Sequence, residues 1–189
     1  CYHRGEVGCH QPPDRTHDGN GDVATLVANL RSMSFQYKLH VGELPDESEM
    51  VLLSDLADAG KAREVAQVFH AHYGTPRLRF AGSLSFQRCA HRLVGIVVGT
   101  WLLTGNVPVL APDETALRIT HGGATELHVA SWHTVHGSAA KCMHHVSTLM
   151  EPLVDAFRAG TGVGRANLHG NVAATVGGVV RNARRRHEH

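Results

Sequence analysis

The chain has 189 residues, with 18 basic side chains against 17 acidic ones and 16 histidines. It is therefore near neutral at pH 7 and gains positive charge as the imidazoles protonate toward pH 5. At 42% hydrophobic and 19% charged residues, it has the composition of a globular domain and not of a disordered chain. Balanced charge supplies no bulk attraction to nucleic acid.

The longest nearly apolar run, residues 93–103, is well short of the ~20 residues that span a bilayer, so no transmembrane segment is expected. No basic-then-apolar leader is visible, and a first residue other than Met is consistent with a fragment. Fifteen of the basic residues are Arg and three are Lys. With abundant Ala, Gly and Val, that bias suits GC-rich coding and says little about function.

Residues 1–21 read as a flexible tail rich in Gly, Pro, Asp and His, and residues 22–189 as one helical domain. The segment from Asp18 to Asp22 opens like a calcium loop. Val23 and Asn29 stand where such a loop needs Gly and Glu, so Asp22 reads as a helix N-cap instead. A first helix is predicted over 23–33. A second, over 47–59, is capped by Asp46, closed by Gly60 and carries Met50, Leu53, Leu56 and Ala57 on one face.

A third helix covers 61–73. Residues 77–104 form the longest periodic stretch, a central buried helix with a kink expected at Gly95 or Gly99. Alternation over 116–120 and 125–131, with His121-Gly-Gly123 between, predicts a β-hairpin. Helix returns over 139–159, with a break expected near Pro152. The last helix spans about 164–185, with Leu168, Val172, Val176, Val179 and Val180 inward. The class is mainly α, a helical domain with one small β-hairpin.

Familiar catalytic patterns are missing. There is no Gly-x-Ser-x-Gly elbow, no His-Glu-x-x-His and no Cys-x-x-Cys. Gly160-Thr-Gly-Val-Gly164 lacks the Lys-Ser/Thr of a phosphate loop and reads as a turn between helices. Cys89 and Cys142 fall in helical patterns as small apolar residues, while Cys1 and Cys9 lie in the tail, paired or free. So few cysteines suit a reducing compartment, so a cytoplasmic location is expected.

The histidines read as scattered surface residues that bind divalent metal weakly, and no metal ligands are assigned. A site from His128, His133 and His136 is the alternative. The basic end from Arg181 to Arg186 reads as a solvated helix C-terminus.

The start of the last helix is richer. Asn167 and Asn171 are four residues apart and share a face; Arg165 and His169 share the adjoining one. Free N–H groups and the partial positive charge of a helix start favour oxygen ligands there. Two readings stay open. Asn167 caps the turn while Asn171 bonds a neighbouring helix, or the four line a polar wall for an oxygen-rich ligand.

Two segments carry a family resemblance. One runs from Ser83-Leu-Ser-Phe-Gln-Arg-Cys-Ala-His-Arg92 to Gly99-Thr-Trp and on to Pro108. The other is Met150-Glu-Pro-Leu-Val-Asp-Ala-Phe157, followed by Leu168-His-Gly-Asn171-Val-Ala173. Together they resemble the helical domain of FhuF-like ferric-siderophore reductases, which is similar to the C-terminal part of aerobactin-type siderophore synthetases. The resemblance covers roughly residues 60–186.

It implies a protein of iron acquisition that releases iron from a ferric siderophore by one-electron reduction, with an electron-donor protein as partner. Without its cluster, such a protein is a siderophore-binding module; a siderophore-biosynthesis-like domain is a further alternative. The family's cofactor is a 2Fe–2S cluster on two adjacent Cys and a Cys-x-x-Cys that follow an Arg-rich helix end. Here Arg184–Arg186 are followed by His187-Glu-His189, and those ligands are absent. The cofactor and the catalytic residues are thus left unassigned, as is enzymatic activity. Beside these segments, Arg92, Arg165, His169 and Asn171 are the expected substrate-binding residues.

Overall fold

The computed structural model describes residues 19–120 and 123–187, with side chains from 23 to 186. Helix α1 (Gly19–Met33) leads to strands β1 (Leu39–Val41) and β2 (Met50–Leu52). A short α2 (Leu53–Leu56) precedes α3 (Ala59–Tyr73) and the long α4 (Leu78–Thr104). Strands β3 (Asn106–Val109), β4 (Thr115–Thr120), β5 (Gly123–Val129) and β6 (His133–His136) follow, then α5 (Ala139–Thr161) and α6 (Arg165–His187). The mainly α class is observed. Among the described residues, no helix is long and apolar enough to cross a membrane.

Helix α4 is the axis of the fold. From Cys89 to Thr100 every residue except His91 is buried, as expected for a helix apolar on all sides. It packs against α1, α3, α5 and α6, and against the sheet through β5. Such crowding needs residues without side chains. A Cβ on Gly82 would overlap Thr161, one on Gly95 the ring of Tyr37, and one on Gly99 the Leu30 side chain. The helix runs unbroken through Gly95 and Gly99. The glycines that suggested a kink are instead the contact points of its neighbours.

Helix α5 likewise continues through Pro152. Proline removes one backbone bond at a cost of about 3 kcal/mol. Val146, Leu149 and Met150 before it, and Leu153, Val154 and Phe157 after it, are all buried. That shared apolar stripe holds both halves on one axis. Ser138 caps the helix by accepting from the Lys141 N–H at 3.3 Å.

The expected hairpin is β4 and β5, antiparallel with Leu117 opposite Leu127 and Arg118 opposite Glu126. It is part of a larger unit. β2 adds antiparallel to β4, and β1 adds parallel to β5, giving a four-stranded sheet in the order β1-β5-β4-β2. β3 and β6 form a second, two-stranded sheet.

The helix predicted over 47–59 is therefore corrected to a strand, one helical turn and the start of α3. Leu53 and Leu56 do share a buried helical face, but Met50 to Leu52 pair with Arg118 to Ala116. Asp58, not Asp46, caps the next helix, accepting from the Lys61 N–H at 3.0 Å. Helix α1 begins at Gly19, so Asp22 lies inside its first turn and is not the N-cap. The remainder of the expected tail, residues 1–18, lies outside the described residues.

Two stability tests follow from this packing. Gly160 of α5 rests on the backbone carbonyl of Ala59, which cannot move aside as a side chain can. Gly160→Ala should cost about 1–3 kcal/mol by overpacking. Gly170→Ala, in open space, should be neutral or gain up to about 1 kcal/mol from helix propensity. Urea unfolding of the two variants reads the contrast.

His91 and His145 are held below the usual histidine range, chiefly by burial. Arg92 and Arg88 add to the effect at His91, and His144 at His145. The unfolded chain takes up these protons near pH 6.5 while the folded chain resists. Stability should therefore fall as pH drops below about 6.5, and level off beneath the folded pKa values. His145 Nε2 is buried without a partner, so His145→Met should reduce the loss in unfolding midpoint between pH 7.5 and 5.5.

Candidate ligand site at the start of the last helix

Helix α5 ends at Gly162, whose φ of 76° is left-handed and whose N–H returns to the Arg158 carbonyl at 3.0 Å. Only glycine adopts that conformation freely, so the chain can reverse within three residues. Val163 is buried and anchors the turn. Gly164 then starts α6, accepting from the N–H groups of Asn167 (3.0 Å) and Leu168 (3.3 Å). The first N–H groups of any helix lack intrahelical acceptors and carry partial positive charge.

A pocket of about 270 Å³ opens at this end, lined by the 162–164 turn, Asn167, and Arg79, Phe80 and Ser83 from the start of α4. The Arg79 guanidinium lies 5.2 Å from the Phe80 ring centre. No carboxylate partner of Arg79 occurs among the described residues. Arg79 therefore brings to the pocket lining a charge that no carboxylate among the described residues meets.

A directed hydrogen-bond chain forms the wall. The Asn171 side-chain N–H₂ donates to both the carbonyl and the hydroxyl of Ser83, each at 3.3 Å. The Ser83 hydroxyl donates to the Asn167 side-chain oxygen at 2.7 Å. That bond commits the oxygen and leaves the side-chain N–H₂ of Asn167, a residue of the pocket lining, available to donate.

The adjoining face is organised differently. Arg165 pairs with Asp155 at 2.7 Å and with Glu151 through its other nitrogen. His169 Nε2 lies 3.1 Å from the second oxygen of Glu151. One carboxylate thus holds both side chains, and the positive charge of Arg165 is already met. His169 and Glu151 edge a larger, mostly apolar groove of about 440 Å³ between α5 and α6, floored by Met150, Val154, Val172 and Val176.

Arg92 lies elsewhere. It is buried on α4, and its Nε donates to the Thr125 carbonyl at 2.9 Å, joining that helix to β5. Nη1 is buried without a partner. Burial, and then neighbouring Arg88, lower its pKa.

The four expected binding residues are therefore distributed over three places. Arg165 and His169 meet at Glu151, Asn171 meets Ser83, and Arg92 faces the sheet. Sequence spacing had paired Asn167 with Asn171, and Arg165 with His169. Each pair does share one partner. Arg79 was not singled out, although it stands four residues before Ser83 on the same helix, the spacing that puts two side chains on one face.

The 2Fe–2S cluster that the resemblance implies is held by four thiolates. The described residues supply only Cys89 and Cys142, on different helices and both buried. Burial pushes the Cys89 thiol up to about 12, which keeps it protonated, and raises that of Cys142 as well. These residues do not fit the cluster. Cys1 and Cys9 lie outside the described residues.

No protein-family model and no curated protein matches the chain.

The Asn171–Ser83–Asn167 chain predicts a measurable coupling. Ser83→Ala and Asn171→Ala should each lower stability by about 1 kcal/mol. The double variant should lose less than the sum of the two, since both remove the bond between the Asn171 amide and the Ser83 hydroxyl. Thermal unfolding of the four proteins in that cycle gives the coupling energy.

Proposed function

We propose that the protein handles ferric siderophores in iron acquisition, taking the oxygen-rich rim of the chelate at the start of α6. The observation that carries this reading is a juxtaposition. The segments resembling FhuF-like reductases are far apart in sequence, yet Ser83 of the first bonds both Asn171 of the second and the nearby Asn167. They do so at the wall of a pocket supplied with donors.

The chemistry suits such a ligand. Hydroxamate and catecholate oxygens bound to ferric iron remain partly negative and accept hydrogen bonds. Arg79 offers a planar fork, Asn167 an amide, and the helix start its free N–H groups. A pocket of about 270 Å³ lies just below the usual range of ligand cavities, which begins at about 300 Å³. It takes one rim of a chelate and leaves the rest in solvent. Arg165 and His169 lie on the next face of α6, and Arg92 is set apart.

Iron release is a one-electron step. Fe(III) accepts an electron from an external donor protein, and the resulting Fe(II) is held less tightly by the same oxygens. Each tenfold change in that preference corresponds to 59 mV. This chain's part is to hold and orient the chelate. A second reading is a siderophore-binding module with no redox step of its own; the described residues offer only two thiols, buried on different helices, which favours it.

Titration with a ferric trihydroxamate, followed by tryptophan fluorescence, tests the site. Arg79→Ala and Asn167→Ala should each weaken binding about tenfold, the worth of one charge-assisted or well-placed hydrogen bond. Arg165→Ala should weaken it less. Unchanged affinity in both of the first two variants would reject the pocket as the binding place.

A further inference from the structure

A second cluster of chemistry-bearing side chains lies on the four-stranded sheet, on elements other than those that line the α6 pocket. We infer that His40, Glu126 and His128 form a divalent-metal site of the type occupied by Zn²⁺. The parallel pairing of β1 with β5 places His40 directly beside His128. The two-residue period of a strand puts Glu126 on the same face as His128. The two imidazoles stack with centres 4.5 Å apart and planes within 11°. Their Nε2 atoms both turn to one oxygen of Glu126, at 3.6 Å from His40 and 3.4 Å from His128. One ligand atom from each residue lies within 4.8 Å of the others.

Those separations are informative. An N–H···O hydrogen bond is typically 2.7–3.2 Å, so the His128 bond to Glu126 is a long one at 3.4 Å and the His40 contact at 3.6 Å lies beyond direct bonding. Around a tetrahedral ion with bonds of about 2.1 Å, neighbouring ligand atoms stand about 3.4 Å apart. Two of the cluster's three edges, from the Glu126 oxygen to each imidazole, already have roughly that length, and all three lie within 4.8 Å. Two imidazoles and one carboxylate suit zinc and its neighbours better than magnesium or calcium, which take oxygen ligands. Water can complete the coordination from the His40 side, where the side chain is 43% exposed, against 9% for His128.

Neighbouring charges also agree. Arg118 Nε lies 3.2 Å from the same Glu126 oxygen, and Lys38 lies 3.7 Å from the other. Arg118 is also paired with Glu47 and Glu49. Two cations among three carboxylates leave one negative charge to attract a divalent ion. Arg118 then acts as an outer contact that orients the carboxylate. His133 and His136, grouped with His128 in the sequence reading, lie exposed on β6 in the other sheet.

A metal here would staple β1, a three-residue edge strand, to β5. The Gly42 N–H bonds the Val129 carbonyl at 3.0 Å just past that staple, so its hydrogen exchange reports the site separately from other histidines. Adding equimolar ZnCl₂ to the full chain should slow exchange at Gly42 at least tenfold. His40→Gln, an exposed position, should abolish the slowing. A His133→Gln/His136→Gln double variant should retain it. Exchange at Gly42 that zinc leaves unchanged, or slows equally in His40→Gln, would overturn the inference. Neither result bears on chelate binding at α6.

Discussion

The described residues are arranged around a helix whose middle is almost wholly buried. Along Cys89–Thr100, α4 is enclosed by four other helices and a sheet. Neighbours can reach it on every side only because Gly82, Gly95 and Gly99 lack side chains where Thr161, Tyr37 and Leu30 come in. Glycine in a helix costs about 1 kcal/mol relative to alanine. The apolar area buried by the close approach of whole helices offsets that cost. The same glycine contacts set positions. Gly82 seats Thr161, the last residue of α5, so it also fixes where the chain turns into α6.

The polar pocket is a direct consequence. Because α4 carries Ser83 one residue beyond Gly82, the hydroxyl meets the first turns of α6 where Asn167 and Asn171 project. Ser83 both accepts and donates, so a single hydroxyl satisfies one asparagine and orients the other. On the neighbouring face, Glu151 and Asp155 neutralise Arg165. Arg79 lines the pocket with no carboxylate partner among the described residues, which makes the pocket attractive to partly negative oxygen. This is polarity without a strong net field.

The sheet contributes a chemically separate corner. Buried Arg92 ties α4 to β5 through the Thr125 carbonyl, while Glu126 and His128, farther along that strand, face a different set of groups. One strand thus serves as a packing surface for the central helix and a display surface for titratable side chains. Strand alternation makes the two uses compatible.

The sequence alone determined the local features. The long helices α3, α4, α5 and α6 follow from apolar spacing, the β4–β5 hairpin from alternation around a glycine, and the paired faces of α6 from its four-residue repeats. It also set the limits on membrane spanning. What only the tertiary structure decided is which distant segments meet. Strands of three or four residues, such as β1, β2, β3 and β6, are too short for periodicity to reveal, and pairing with partners elsewhere in the chain defines them.

Met50 to Leu52 fits a helical pattern as well as an extended one until β4 lies beside it. Pro152 and the α4 glycines look like breaks until the burial on either side is known. Arg79 has no local mark of function, and His40 sits in a segment with no motif. Each acquires its neighbours through contacts whose free energy comes from burial and pairing across the fold, which no window along the chain contains.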